Sequence, residues 1–379
     1  MTDLQNLSIG TKEGWDRIVH ADPVPRPEIL SARKFKSLNG RDLSRYNKQR
    51  RLWHANMGVL HTEQLQRLHH KLWDIMNSNQ QNGSHAKGAI AVEGDSNLGK
   101  STAVELFAKE FHLSEIAENG DRTDTGNERH PVVRVTLSGH PTISTLNKSL
   151  LYYFAHMGLS RGNADDFARR TLDVFLACEV RLLIVDDLHF LRWESVDGSK
   201  VSNQLKFLAN EFPITLLLVG VGLTQRGLYR QGRTFGASIH KPSAARSTRP
   251  PSSSGRVVNA AVLGPTANRT TQHELTPFQY KTADDKRYWR TVVKAIEDNL
   301  VLTEHRQGTL SLSLADYLYE RSSGYMGSLV TLINRGCARA VRTGAEALTE
   351  ELLEQVEIDV AAETARKQTA RLLRMNQAS

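Results

Sequence analysis

Ala89-Ile90-Ala91-Val92-Glu93-Gly94-Asp95-Ser96-Asn97-Leu98-Gly99-Lys100-Ser101-Thr102 is the stretch whose reading decides the fold. Ala89–Val92 reads as a short buried strand running straight into a glycine loop, and 101–111 as the helix that follows. The eight residues Gly94 to Ser101 satisfy G-x-x-x-x-G-K-[ST] in full. Gly94 and Gly99 permit the dihedrals that turn successive backbone N–H groups inward around a phosphate. Lys100 supplies a point charge for β- and γ-phosphates, and the Ser101 hydroxyl is a ligand for Mg²⁺. A helix that starts at this point adds the positive end of its dipole. ATP with Mg²⁺ is therefore the expected ligand, with Gly94, Asp95, Ser96, Asn97, Leu98, Gly99, Lys100, Ser101 and Thr102 as its contacts.

Outward from the loop, strand and helix patterns alternate. Strands are expected over 132–137, 182–185 and 214–221, and helices over 143–157, 165–178 and 201–212. Such alternation implies a parallel sheet flanked by helices, an α/β P-loop NTPase fold. The third strand, Leu182-Leu183-Ile184-Val185, ends in Asp186-Asp187. On a parallel sheet both acids fall at the carboxyl edge, where ligands bind. Asp186 would hold Mg²⁺, and Asp187 would orient and polarise the attacking water. Upstream, Thr62 caps a helix with Leu65, Leu68, Leu72, Ile75 and Met76 at helical spacing.

The reading gives four parts. Residues 1–55 form a basic irregular arm, with Pro23, Pro25 and Pro27 in an extended segment. Residues 56–226 form the α/β core. Residues 227–271, rich in Gly, Pro, Ser, Thr and Arg, read as a disordered basic insertion. Residues 272–379 close the core and build a small all-helical lid from segments 284–299, 312–321, 327–341 and 348–373. The net charge of +8 comes from 49 Lys and Arg against 41 Asp and Glu in 379 residues. It concentrates in 33–51 (Arg33, Lys34, Lys36, Arg41, Arg45, Lys48, Arg50, Arg51, opposed by Asp42) and in the insertion. Clustered cations of this kind are the footprint of phosphate-backbone binding or of a solvated arm. No apolar run approaches the roughly 20 residues a membrane span needs, and no secretory start is read at Met1. With Cys178 and Cys337 far apart in sequence, a reducing cytoplasm is expected.

The residues at this point resemble the TniB/TnsC group of AAA+ ATPases that regulate DNA transposition. The resemblance is carried by the P-loop and by Leu182-Leu183-Ile184-Val185-Asp186-Asp187-Leu188-His189-Phe190-Leu191. Asn203-Gln204-Leu205-Lys206-Phe207-Leu208-Ala209-Asn210-Glu211, Pro141-Thr142 and Gly324-Tyr325-Met326-Gly327-Ser328-Leu329 extend it. It runs from about Tyr46 to Arg366, interrupted by the insertion. The resemblance implies a homo-oligomer, ring or filament, that assembles on double-stranded DNA. It links target DNA to a transposase, with a target-selector protein as a further partner and ATP hydrolysis resetting the complex. It also implies an arginine reaching the neighbouring protomer's γ-phosphate; Arg269 is the candidate and Arg233 the alternative. Three departures stand out. Asp187 replaces the usual Glu, the first sensor position falls on Val221 or Gly222 with Thr224 nearby, and Ser328 stands where a second sensor arginine is expected. Slow or DNA-stimulated hydrolysis follows from these. The competing expectations are a helicase loader of the IstB/DnaC kind and a nucleotide-gated DNA-binding scaffold with negligible hydrolysis. His189 reads as a packing or capping residue, His69 and His70 as surface residues, and Trp53, Trp73, Tyr152, Tyr153 and Phe154 mostly as core.

Overall fold

The computed structural model describes residues 8–81, 87–137, 139, 141–188, 191, 195–211, 214–228 and 269–377. Five strands, β1 (Ala89–Glu93), β2 (Val132–Thr136), β3 (Leu182–Asp186), β4 (Thr215–Gly220) and β5 (Thr270–Glu274), form one sheet in the order β2-β3-β4-β1-β5. All four ladders are parallel. β1, β3 and β4 are buried along their whole length, as near-continuous apolar runs in a covered parallel sheet should be. The expected strands thus stand, each ending within a residue or two of its predicted limits.

Before the sheet come α1 (Lys12–Val19), α2 (Ala32–Lys36), α3 (Gly40–Ala55) and α4 (Glu63–Ser78). Thr62 caps α4 by accepting from Leu65 N at 3.3 Å. Helices α5 (Lys100–Asn119), α6 (Ile143–Tyr153), α7 (Ala164–Ala177) and α8 (Val196–Glu211) flank the sheet. α4 packs on α5 and β1, while α6 packs on α7, α8 and β2. The main core runs from Trp15 to Leu275.

The arm over 1–55 is not irregular within its described part. α1 inserts Trp15, fully buried, beside α5, and its indole N–H donates to His112 Nδ1 at 3.1 Å. α3 carries too weak an apolar stripe to be found by periodicity. It is held instead by Arg50, whose guanidinium pairs with Glu346 at 2.5 and 2.8 Å. That places the basic helix on the C-terminal helical unit rather than in solvent.

That unit comprises α9 (Ala283–Glu297), a π-helical turn at Thr309–Ser313, α10 (Ala315–Ser322), α11 (Met326–Thr343), α12 (Glu350–Glu354) and α13 (Val360–Gln377). Its own core gathers Phe278, Trp289, Leu310, Leu329, Leu332 and Leu353 among others. The single helix expected over 348–373 is two. Asp359 caps α13 by accepting from Ala362 N at 3.0 Å. The carbonyls freed in the break are taken by Arg321, which donates to Leu353 O at 2.9 Å and Val356 O at 2.7 Å. Most of the insertion, 229–268 with Arg233, lies outside the described residues, as does His189; β5 begins at Thr270, inside the predicted insertion limit.

Candidate nucleotide site

The loop Gly94–Gly99 leaves the carboxyl end of β1 and hands over directly to α5. Gly99 is the N-cap of α5 in the left-handed region (φ 85°, ψ 18°) and offers no side chain to the first-turn N–H groups. Those donors stay directed at the loop, which suits them to an anion. Gly94 is required for space as well as for its φ of 151°, because a Cβ there would lie 2.4 Å from Leu275 O. Leu275 is held there by donating its N–H to Glu93 O at 2.8 Å. Asn97, also left-handed at φ 64°, is the turn residue between them.

Lys100 folds its ammonium back over the loop, donating to Gly94 O at 2.9 Å and Asp95 O at 2.6 Å. Burial lowers its pKa, opposed by the carboxylates of Asp186, Asp95 and Asp187. The ammonium and the β3 acids thus share one electrostatic neighbourhood. Asp186 is 4% exposed. Its Oδ1 accepts from Asp187 N at 2.8 Å and its Oδ2 from Arg134 Nη2 at 2.6 Å. Arg134 comes from β2, whose Thr136 stands opposite Asp186. Burial raises the Glu105 pKa, and Arg134 opposes that rise while Asp186 adds to it, so α5 contributes a third carboxyl to the group. Asp187 follows in a left-handed conformation, φ 58°, sparsely populated for a residue with a side chain.

Glu93, the last residue of β1, is buried beneath the loop. It accepts from Thr224 Oγ1 at 2.8 Å and from Gln272 Nε2 at 3.1 Å. Thr224 is therefore tied into the loop's foundation. Lone charges inside apolar runs, Arg134 in Val132-Val133-Arg134-Val135 and Glu93 after Ile90-Ala91-Val92, were the signals that could have identified both residues from sequence.

The helical unit closes over the loop from the other side. Gly327 N donates to Asn97 O at 2.8 Å, and Tyr325 Oη donates to Asp95 Oδ2 at 3.0 Å. Ser328, at the expected sensor-arginine position, donates to Asp359 Oδ2 at 2.6 Å. Burial, the largest effect on Asp359, pushes its pKa up. Hydrogen bonds from Ser328, Ala362 and Asn97 outweigh it, so the carboxyl stays ionised below its ordinary range. Beside Gly99 and Thr102 lies an apolar cavity of about 220 Å³ walled by Val59, Leu60, Leu98, Phe278, Met326 and Val330. Its size and apolar walls fit a flat aromatic ring next to a phosphate cradle. Sequence reading missed it because its walls come from four segments far apart in the chain.

Lys100, Ser101, Asp186 and Asp187 are thus gathered at the carboxyl edge of β1 and β3, and Arg269 is not. Arg269 precedes β5, which pairs Thr270 with Ala89 and Glu274 with Glu93. It therefore lies at the amino edge, six residues or about 20 Å from the loop at some 3.3 Å per residue. There the Lys206 ammonium on α8 is held below the ordinary lysine range, first by burial and then by Arg269. Such a position excludes contact with this protomer's own γ-phosphate.

The donor set fits Mg²⁺, which is usually held by one or two carboxylates plus substrate phosphates. Asp186 and the exposed Ser101 hydroxyl supply protein oxygens at the end of the cradle. Among the described residues no group of three or more His, Cys, Asp or Glu is disposed to hold a metal by itself, and no helix is long and apolar enough to cross a membrane.

Residues 52–230 match the family model described as TniB, bacterial TniB protein. No curated protein matches the chain in sequence. Among solved structures, the chain is similar to the Aeropyrum pernix ORC2 protein in its ADPNP–ADP complexes. Identity is 13%, 82% of this chain and 72% of that chain are covered, and the TM-score is 0.52. It is also similar to the Aeropyrum pernix ORC1 protein in complex with DNA, at 11% identity over 95% of this chain and 72% of that chain, TM-score 0.51. At such identity the likeness is one of fold: a P-loop sheet with a helical C-terminal unit.

Proposed function

We propose that this chain, of the bacterial TniB type over residues 52–230, is an ATP-dependent regulator of DNA transposition. ATP binding drives its assembly on duplex DNA, the assembly links that DNA to a transposase, and hydrolysis resets it. The observation that carries the reading is the convergence at one sheet edge of the Lys100 ammonium, the first turn of α5 and the Asp186–Asp187 pair. That edge is roofed by a helical unit hydrogen-bonded to the loop.

In this mechanism the loop N–H groups and Lys100 bind the β- and γ-phosphates; Lys100 then exchanges its two loop carbonyls for phosphate oxygens. Asp186 and Ser101 would hold Mg²⁺, which supplies charge neutralisation of the triphosphate when bound. Arg134 aims the Asp186 carboxylate through its 2.6 Å hydrogen bond to Oδ2. Asp187 orients the attacking water and accepts its proton. Its side chain is one methylene shorter than Glu, so the carboxylate acts at longer reach and turnover is slow. Arg269, at the far edge, completes the site only when a second protomer presents it, which makes turnover depend on assembly.

Fluorescent-ATP binding and phosphate release, each with and without duplex DNA, test the reading. Lys100→Ala abolishes binding; Asp187→Asn retains binding but lowers DNA-stimulated turnover at least a hundredfold. Arg269→Ala leaves single-protomer ATP binding intact and removes the stimulation by DNA. Wild-type protein with no affinity for ATP-Mg²⁺ would overturn the proposal. A nucleotide-gated scaffold is the second reading, favoured by Asp187 and by Ser328 being engaged with Asp359; it requires that DNA produce no stimulation.

A further inference from the structure

A cleft of about 550 Å³ opens between α3 and α11, lined by Arg51, Arg335, Arg339, Arg342, Gln355 and Glu357. On α11 the three arginines stand at i, i+4 and i+7, on one face and rising about 6 Å and then about 4.5 Å along the axis. The other face of the same helix buries Leu332, Ile333, Cys337 and Ala340 in the core of the helical unit. The cations are therefore mounted on a fixed element. Arg51 is fixed too, since the preceding residue is the buried Arg50 paired with Glu346.

Among the described residues these guanidiniums form no ion pair. Arg335 donates to Glu357 O at 2.5 Å, and Arg339 to Gln355 O at 3.2 Å and Oε1 at 2.6 Å, all uncharged acceptors. Among the described residues the ion pairs engage neighbouring arginines such as Arg321 and Arg366, and none of these four. Beyond Arg51, the exposed Arg41, Arg45 and Lys48 continue the cationic surface along α3, about 15 Å further. Four guanidiniums share the cleft with a single acid, Glu357, and this excess of positive charge favours an added anion.

We propose that this cleft binds the phosphodiester backbone of duplex DNA without reading its bases; the inference rests on the DNA-dependent role proposed above. Two observations favour nucleic acid over an acidic protein segment. The lining offers only Ala338 and Val356 as apolar contacts, whereas protein partners are anchored by buried aromatic or aliphatic side chains. The charge extends as a strip along two helices, which matches a polyanion of regular spacing. Arginine also suits the role, because its planar fork pairs with phosphate oxygens two at a time. The site communicates with the nucleotide loop through one element. Gly327 in the first turn of α11 touches Asn97 O, and Arg339 lies twelve residues along the same helix, about 18 Å away.

The test is anisotropy of a labelled 30-base-pair duplex with the full chain, ATP analogue and Mg²⁺, across a salt series. R335A/R339A/R342A weakens binding at least tenfold at ~100 mM salt. It also makes the slope of log affinity against log salt shallower by about 2 to 3, near one per lost phosphate contact. R335K/R339K/R342K, which keeps the charges, recovers most of the affinity and excludes misfolding as the cause. Wild-type affinity and slope in the alanine variant would overturn the cleft assignment while leaving the DNA-dependent role intact. No duplex binding by the wild-type chain would remove both. Loss of binding to polyglutamate with duplex binding retained would give the cleft to an acidic protein and overturn the proposal.

Discussion

The nucleotide loop and the helical unit that roofs it are built on opposite principles. The residues that form the cradle, Gly94 to Thr102, are consecutive in the chain, and its two acids are adjacent at one strand end. The roof is assembled from partners far apart in the chain. Arg50 pairs with Glu346 across 296 positions, Arg26 donates to Asp298 O across 272, and Trp53 donates to Asn299 O across 246. Chemistry that must work on a fixed phosphate is thus encoded locally, whereas the placement of the roof is encoded by contacts that only the folded chain creates. The two should accordingly fail separately when disturbed.

The largest separation is expected from Glu346→Ala. Arg50 is fully buried, its charge flanked by the Tyr46 and Phe35 rings at 4.6 and 5.1 Å. Glu346 also accepts from Thr303 N and Oγ1 at 3.2 and 3.1 Å. Removing the carboxylate strands a buried cation, which costs about 3–5 kcal/mol. Chemical denaturation followed by tryptophan fluorescence should show the helical unit, with Trp53 and Trp289, melting well before the sheet. A loss under about 1 kcal/mol, or a single unaltered transition, would mean that α3 is held by other contacts.

The same contrast explains what could be read from the sequence. The strands and the P-loop were legible because period and motif act over short spans, and β1, β3 and β4 are simple apolar runs. α3 was not legible, since its apolar content is low and its anchor, Arg50, looks like any other member of a basic cluster until Glu346 is beside it. The α12–α13 break was legible in principle, through Asp359 as a cap ahead of Val360-Ala361-Ala362-Glu363. The cavity walled in part by Val59, Phe278 and Met326 left no local signal, because none of these three segments is unusual by itself.

A smaller effect comes from acidification, which reaches both regions but through different histidines. Burial pushes His54 down to about 4, with Arg50 adding to the shift. Its Nε2 accepts from Val301 N at 3.0 Å, so the ring must be neutral there. In the core, burial lowers His112 to about 4 and His130 to about 3. Between such folded values and an unfolded pKa near 6.5, the unfolded chain binds protons that the folded chain refuses. Stability is therefore full above about pH 6.5 and falls as pH drops toward 4. His54 alone accounts for about 2 kcal/mol by pH 5. His54→Gln, whose amide oxygen can accept from Val301 N without titrating, should remove about one proton from the pH dependence of the helical unit's denaturation. An unchanged slope would show that His54 titrates normally.

The smallest expected change in stability is also the most informative, because it lies on the seam between the two regions. Gly327 approaches the loop so closely that a Cβ would sit 2.9 Å from Asn97 O and 3.2 Å from Asn97 Cα. Those are backbone atoms, so Gly327→Ala cannot be relieved by a side-chain rotation; the first turn of α11 has to withdraw. Withdrawal lengthens the 2.8 Å bond from Gly327 N to Asn97 O, worth about 1 kcal/mol in itself. It also opens the cavity that Met326 helps to wall. Alanine favours a helix over glycine by up to about 1 kcal/mol, so the two effects on folding nearly cancel. ATP affinity has no such compensation and should fall about five- to twentyfold while the melting temperature moves by only a degree or two. Equal affinity in the variant would mean that the roof rests on the loop without helping to hold the nucleotide, and the coupling between the arginine cleft and the P-loop would lose its route.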